Sequence, residues 1–273
     1  MHLFGLIGYP IAHSLSPAYM QSRWKKEGVK DCLYQLFPLH KIEEIKELPS
    51  QYPEICGLNV TSPFKEEVLA YADKIDSTAE ALQSCNVLSI KQGQITAHNT
   101  DVVGFATLMD KLYGLHTMTR VDKNTITAME QLSSTSHLQA PKKALVLGSG
   151  GAARAVRKVL ETKNIECLLV SRKKEGKGFC HYDMLTESLI AAHLLIVNAT
   201  PLGMGNLTDQ APDIPYQSLT DRHMLIDLNY LPAESLFLKK GKQQGAQVCN
   251  GLQMLYAQAD ASWSIWKKDL QTT

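Results

Sequence analysis

The sequence predicts an α/β protein of two domains, each built on a largely parallel sheet. Two observations carry this. Short apolar strand-like runs alternate with helix-like stretches from end to end. The alternation lapses over 113–143, where Ser, Thr and Gly interrupt the periodicity, and then begins afresh. A chain of 273 residues has room for about two modest domains.

Phe4–Ile7, Leu33–Phe37 and Ile55–Val60 read as the first three strands. Between the first two, Ser16-Pro17 followed by Gly28 brackets a helix: a cap, a proline in the first turn and a glycine past the end. On that reading Ser14 is only a turn residue. Ser62-Pro63 opens a second helix by the same pattern. Val87–Ile90 and Ile95–Ala97 pair around Gly93, and Val102–Leu112 is helical, capped by Thr100 or Asp101. The second alternation runs strand Ala144–Leu147, helix Ala152–Leu160, then strands Cys167–Val170, Leu194–Val197 and Met224–Leu228. The last helix, Leu252–Trp266, sets Leu252, Leu255, Ala259 and Trp266 on one face. The 113–143 connection is expected to be a solvent-exposed excursion with one short helix around Thr125–Leu132.

Composition removes several classes of function. With 28 basic and 27 acidic side chains the net charge is +1, which suits neither a nucleic-acid coat nor an anionic-membrane binder. No apolar run is long enough to span a bilayer. Met1–Ile7 lacks a basic region before it and meets Gly8-Tyr9-Pro10 at once, so no signal peptide is expected. The six cysteines are scattered without metal-ligand spacing, as reduced thiols of a cytoplasmic protein would be, and no metal is expected.

The strongest local motif is Gly148-Ser149-Gly150-Gly151-Ala152-Ala153, between a predicted strand and a predicted helix. It fits the G-x-G-x-x-A pattern, in which the backbone turns tightly and a pyrophosphate rests on the helix N-terminus. An NAD site usually carries an acid on the ribose about 20 residues later. Here the next strand ends in Ser171-Arg172-Lys173, with no carboxylate. Arg172 can pair with a 2′-phosphate, with Ser171 and Lys173 as further donors, which points to NADP(H).

In the first half, Asn59 and Thr61 alternate at a strand end and share a side. If Ser62 caps a helix, Lys65 stands in its first turn, the unfavourable end of the dipole for a cation. The plain reading is a surface lysine balanced by Glu66 and Glu67; the sharper one is a proton-transfer group. Ser14, Ser16, Asn86, Asn99, Thr100 and Asp101 each have an equally plain local account. Together they gather polar groups at strand ends and helix starts, where α/β proteins bind ligands.

The chain resembles the shikimate dehydrogenase family. The resemblance rests on Gly8-Tyr9-Pro10-Ile11-Ala12-His13-Ser14-Leu15-Ser16-Pro17, Asn59-Val60-Thr61-Ser62-Pro63-Phe64-Lys65 and Asn99-Thr100-Asp101-Val102-Val103-Gly104. It continues through Gly148–Ala155, Asn198-Ala199-Thr200-Pro201-Leu202-Gly203-Met204 and Asn250-Gly251-Leu252-Gln253-Met254-Leu255-Tyr256-Ala257-Gln258. The resemblance implies a substrate domain of 1–104 plus 251–273 and a Rossmann NADP-binding domain of 105–250. It implies NADPH-dependent reduction of 3-dehydroshikimate to shikimate, in chorismate and aromatic amino-acid biosynthesis. By that likeness Ser14 and Ser16 hold the substrate carboxylate, and Asn59, Thr61, Asn86 and Gln258 orient the ring hydroxyls. Lys65 and Asp101 flank the reacting oxygen, and Tyr230 lines the cleft. Asn198, Thr200, Leu228 and Gly251 border the cofactor beside the glycine-rich loop. A small-molecule enzyme of this kind is expected as a monomer or homodimer.

Three places depart from the family pattern. Gln83-Ser84 stands where the family has Gly-Ala, and Ser171-Arg172-Lys173 where it has Asn-Arg-Thr. The 113–143 connection is longer than usual by about a dozen residues. Competing readings are a quinate/shikimate dehydrogenase of broader substrate or NAD use and a non-catalytic ligand sensor. A methylenetetrahydrofolate dehydrogenase is a third, but Ser14, Ser16 and Gln258 do not suit a pterin.

Overall fold

A computed structural model describes residues 1–114, 140–172 and 176–271. Its first sheet grows around β1 (His2–Gly8), whose residues from Leu3 onward are all buried, as a central parallel strand requires. β2 (Cys32–Pro38) and β3 (Ile55–Val60) flank it in parallel. β5 (Val87–Lys91) and β6 (Gln94–His98) extend the sheet as an antiparallel hairpin, and β4 (Lys74–Ile75) closes the edge parallel to β6. The spatial order is β2-β1-β3-β5-β6-β4. α1 (Ser16–Glu27), α2 (Leu48–Gln51) and α3 (Ser77–Leu82) lie among these strands, and α4 (Asp101–Tyr113) leaves the sheet.

The second sheet is wholly parallel. β7 (Lys143–Leu147), β8 (Glu166–Val170), β9 (Phe179–Cys180), β10 (Leu195–Asn198), β11 (Met224–Asp227) and β12 (Gln247–Asn250) take the order β9-β8-β7-β10-β11-β12. That is the doubly wound 3-2-1-4-5-6 arrangement of dinucleotide-binding sheets. Its helices are α5 (Gly151–Thr162), α6 (Glu187–Ala192) and α7 (Leu236–Gln243), and α8 (Leu252–Gln271) returns to the first sheet.

α4 and α8 pack along each other; Gly104 makes this possible, because a Cβ there would meet the Met254 carbonyl at 2.7 Å. Phe105, Leu108 and Met109 of α4 and Met254 of α8 join the core under the second sheet. Ala259, Trp263 and Trp266 of α8 pack with Phe4 and Trp24 under the first, Trp266 stacked on Phe4 at 4.7 Å. The buried face of α8 is therefore Met254, Ala259, Ser262, Trp263 and Trp266, while Leu252 and Leu255 are only half-buried. The expected single face fails because the helix serves two cores in turn.

Other expectations change too. Ser62-Pro63 opens no α-helix: the chain makes turns through Glu66 and then a 3-10 helix, Glu67–Tyr71. In an α-helix the Lys65 carbonyl would accept from Leu69 N–H. Here Leu69 N–H bonds Glu66 O, and the Lys65 carbonyl is taken at 2.7 Å by Cys85 N–H from across the fold. Ser16 does not cap α1; it is the first helical residue, Leu15 is at the cap position, and the Ser14 hydroxyl accepts the Ser16 N–H. Thr100 does sit at the cap of α4 but makes no side-chain cap bond. The strand ending at Leu228 ends at Asp227. Residues 115–139, with the short helix expected near Thr125–Leu132, lie outside the described residues, as does Lys173.

Candidate active site

Each sheet gathers polar residues just past the carboxyl ends of its parallel strands, where doubly wound folds bind ligands. In the first sheet these are Ser14 after β1, Asn59 and Thr61 at the end of β3, Lys65 beyond it, Asn86 before the antiparallel β5, and Asn99 to Asp101 after β6.

Lys65 Nζ lies 2.6 Å from Asp101 Oδ2, with the carboxylate buried and the lysine one-fifth exposed. Lys65 itself stands in turns outside any helix, and its ammonium is held by the Asp101 carboxylate at the start of α4. Asp101 is fixed from behind, since its N–H bonds Asn99 Oδ1 and its Oδ1 accepts from Asn86 Nδ2 at 2.9 Å.

Asn86 is the hub. Its Nδ2 also reaches Thr100 Oγ1 and Gln258 Oε1, each at 3.0 Å, and its Oδ1 accepts the Thr100 N–H at 2.7 Å. The Thr100 hydroxyl thus faces Asn86 instead of capping its helix.

Two residues absent from the sequence reading complete this network. The Tyr34 hydroxyl donates to Asn59 Oδ1 at 2.7 Å, and Asn59 Nδ2 donates to Ser262 Oγ at 3.0 Å and to the Asn86 carbonyl at 3.3 Å. Burial drives the Tyr34 hydroxyl far above the ordinary phenol range, so it is a permanent donor; it also engages Ser16. Tyr34 looks like any core aromatic in a strand. Ser262 had a legible signal, since it lies four residues after Gln258 and shares its helix face. Tyr34→Phe should lower unfolding free energy by about 1–3 kcal/mol, because buried Asn59 Oδ1 loses its donor. An unchanged urea midpoint would show that Asn59 finds another partner.

Tyr230, from the loop after β11, reaches across the cleft to the Ser14 side chain and the Leu15 backbone, and burial raises its hydroxyl above the usual range. Thr61 and Gln258 are half-buried beside the same opening.

The second sheet supplies the facing wall. Gly148 takes φ +118° with the Ala199 carbonyl 3.0 Å from where a Cβ would stand, so the tight turn needs glycine. Its N–H bonds the Val170 carbonyl at 2.8 Å, and Ser149 Oγ lies 3.3 Å from Ser171 Oγ, joining the two loops expected to hold one nucleotide. Above Gly150 nothing comes within 4 Å of a Cβ position, which leaves open space over the first N–H groups of α5. Arg172 is exposed at the end of β8, and no acid replaces it there. These features fit a dinucleotide carrying a 2′-phosphate. Ala152 and Ala153 form the first turn of α5, and Ala153 is fully buried against the sheet.

Asn198 is buried, and its amide holds the following turn: Oδ1 accepts Thr200 N–H and Oγ1–H, and Nδ2 donates to Leu202 O and to Asp227 Oδ1 at 3.0 Å. Burial pushes Asp227 up to about 6 despite donors from Ser235, Asn229 and Asn198. Gly251 N–H bonds the Asn229 carbonyl, bringing it beside Leu228.

The two walls meet at Lys65: a Cβ on Gly151 would stand 3.9 Å from Lys65 Cβ. A doubly wound nucleotide-binding sheet facing a lysine–aspartate pair defines a dinucleotide-dependent oxidoreductase.

Comparison with known proteins makes this specific. Residues 6–88 match the family model for the shikimate dehydrogenase substrate binding domain. The NADP(+) shikimate dehydrogenase of Clostridium beijerinckii is 33% identical over 98% of this chain and 93% of its own length. That of Dehalococcoides mccartyi is 35% identical over 97% and 90%. Among solved structures, a shikimate dehydrogenase in complex with NADP+ superimposes with TM-score 0.79 at 28% identity, covering 98% of this chain and 90% of that one. The Thermus thermophilus enzyme in complex with NADP(H) and shikimate gives 0.77 at 26%, covering 98% and 94%. The chain belongs to the shikimate dehydrogenase family.

Proposed function

We infer that this chain catalyses the reversible NADPH-dependent reduction of 3-dehydroshikimate to shikimate, within chorismate and aromatic amino-acid biosynthesis. The observation that carries this reading is the Lys65–Asp101 pair, 2.6 Å apart, with Lys65 Cβ 3.9 Å from the Cβ position of Gly151 in the glycine-rich stretch of the second sheet. We also propose a substrate domain of 1–104 plus 251–273 and a cofactor domain of 105–250, joined by α4 and α8. The expected setting is the cytoplasm, as a monomer or homodimer; no helix among the described residues is long and apolar enough to cross a membrane.

Ser14 and Ser16 bind the substrate carboxylate, and Tyr230 closes over Ser14 from the other wall. Thr61, Asn86 and Gln258 accept and donate to the ring hydroxyls, while Asn59 acts through Asn86 and Ser262, its own amide being engaged. Gly148 to Ala153, Ser149 with Ser171, and the Thr200, Leu228 and Gly251 segments hold the NADP(H), with Arg172 and Lys173 on its 2′-phosphate and Asn198 supporting the Thr200 turn. When bound, the cofactor supplies the hydride. Lys65 Nζ stands at the carbonyl oxygen and delivers a proton as negative charge develops there. Asp101 Oδ2 keeps that nitrogen aimed, and in the oxidation direction Lys65 takes the proton back. The relatives named for NADP(+) and the absence of an acid at 171–172 support NADP over NAD.

The test is shikimate-dependent reduction of NADP+ by the purified chain. No turnover with shikimate, with the protein folded, would overturn the assignment. Arg172→Asp should raise KM for NADPH by about 10- to 100-fold through lost phosphate pairing, with weak NADH activity unchanged. Unchanged NADPH kinetics would transfer that role to Lys173.

A further inference from the structure

The glycine-rich stretch ends in Arg154, a residue the nucleotide site does not use. Arg154 lies in the first turn of α5 and points back across the cleft. Its Nε donates to the Leu82 carbonyl at 2.7 Å and its Nη2 to the Gln83 carbonyl at 3.0 Å. The same Nη2 lies 2.8 Å from Glu66 Oε1. Leu82 and Gln83 are the last turn and the cap of α3, where carbonyls lack helical partners and a cation is favoured. Gln83 stands in the left-handed region at φ 48°.

Everything that guanidinium grips adjoins the chemistry. Glu66 follows Lys65. Gln83 leads through Ser84 and Cys85 to Asn86, and Cys85 N–H bonds the Lys65 carbonyl at 2.7 Å, so both segments form one hydrogen-bonded unit. On the other side, Arg154 N–H bonds the Gly150 carbonyl at 3.0 Å, which ties the guanidinium's own backbone to the loop that cradles the pyrophosphate. Beside this grip the contact is bare. Gly151 presents no side chain to Ser84, whose buried Oγ has no hydrogen-bond partner among the described residues and would lie 2.1 Å from a Cβ there. Arg154 is thus the polar fastening between the cofactor loop and the segment that carries Lys65 and Asn86.

We propose that Arg154 is a positioning residue for hydride transfer: it clamps the cofactor-holding end of α5 onto the Lys65–Asn86 unit and so sets the distance between hydride donor and carbonyl carbon. This rests on the dehydrogenase reading above. Hydride and proton arrive from different walls of the cleft, so both bonds form together only when the walls are in register. A displacement of about 1 Å is enough to cost about 100-fold in rate. Neither ligand need be bound less tightly, because Arg154 touches only protein.

The experiment compares Arg154→Ala, Arg154→Lys and Glu66→Gln with the parent. It measures kcat, both KM values, NADP+ and shikimate binding by calorimetry, and the isotope effect with NADPH deuterated at the transferred position. Arg154→Ala should lower kcat about 10- to 100-fold, leave both binding constants within about threefold, and raise the isotope effect as hydride transfer becomes limiting. Arg154→Lys should recover part of the rate, since an ammonium can reach one carbonyl or Glu66 but not all three acceptors. Glu66→Gln should cost about two- to fivefold, with the two carbonyl bonds intact. If Arg154→Ala proves too unstable to assay, the same readouts on Arg154→Lys decide. Unchanged kcat and isotope effect, or a rate loss matched by lost NADP+ binding, would overturn the clamp. Absence of shikimate oxidation in the parent would instead overturn the dehydrogenase reading itself.

Discussion

Lys65→Ala is expected to lower kcat by about two to four orders of magnitude with little change in KM, the scale of a lost general acid–base group. The geometry explains why the loss falls on kcat. Lys65 Nζ is held at 2.6 Å by Asp101 Oδ2, and about one-fifth of its side chain stays exposed. A group so placed meets the reacting oxygen most strongly when charge builds on it, so its removal is felt in the transition state. Steady-state kinetics on the folded variant check this. A kcat near that of the parent would reduce Lys65 to a surface residue.

Asn86→Ala is expected to be the most damaging substitution for the site as a whole. The side chain is buried, and its loss leaves the buried Thr100 N–H and Asp101 Oδ1 each short of a partner, while half-buried Gln258 Oε1 keeps the Thr100 hydroxyl at 3.5 Å. Unsatisfied buried groups cost about 1–3 kcal/mol each, so unfolding free energy should drop by about 3 kcal/mol or more. kcat should fall with it as Asp101 loses the bond that aims it. Asn86→Asp keeps the shape but puts a second carboxylate oxygen where the amide nitrogen stood, 2.9 Å from Asp101 Oδ1. Urea denaturation together with kinetics reads both effects. Parent-like stability and rate in both variants would show that the hub is dispensable.

How far the fold could be read from residues alone follows from what each element depends on. Strands such as Ile55–Val60 and the helix expected over Ala152–Leu160, observed as Gly151–Thr162, were legible because local pattern and tertiary burial agree there. β12, with its half-buried Gln247–Asn250, and the two-residue β4 and β9 carry no periodicity, since pairing alone makes them strands. The helix expected after Ser62-Pro63 failed because Cys85, twenty positions further on, competes for the Lys65 carbonyl. No local pattern contains that competitor. The site divides in the same way. Lys65, Asp101 and the glycine loop lie in contiguous motifs, whereas Asn86 follows the Gln83-Ser84 departure and lies in none of them. The bonds of Tyr34 and Arg154 join distant segments and become visible only when β2 and α3 are brought against their partners, whereas Ser262 could have been read from its spacing to Gln258.

The departure at Gln83-Ser84 also gains a physical meaning. A family glycine suits the left-handed conformation that Gln83 adopts here at φ 48°. Its carbonyl is one of the two that Arg154 grips, so the loop keeps its course toward Asn86 without the glycine.

The central claim is that the lysine–aspartate pair and the phosphate-selective nucleotide loop act on one substrate in one cleft. The measurement that tests it most directly is the rate of NADPH oxidation by the purified chain with 3-dehydroshikimate, run beside NADH with the same substrate and NADPH with 3-dehydroquinate. The account predicts rapid turnover for the first pair, with kcat/KM lower by at least about tenfold when NADH replaces NADPH, as loss of the 2′-phosphate contact requires. Equal or faster turnover with NADH, or a preference for 3-dehydroquinate, would contradict it.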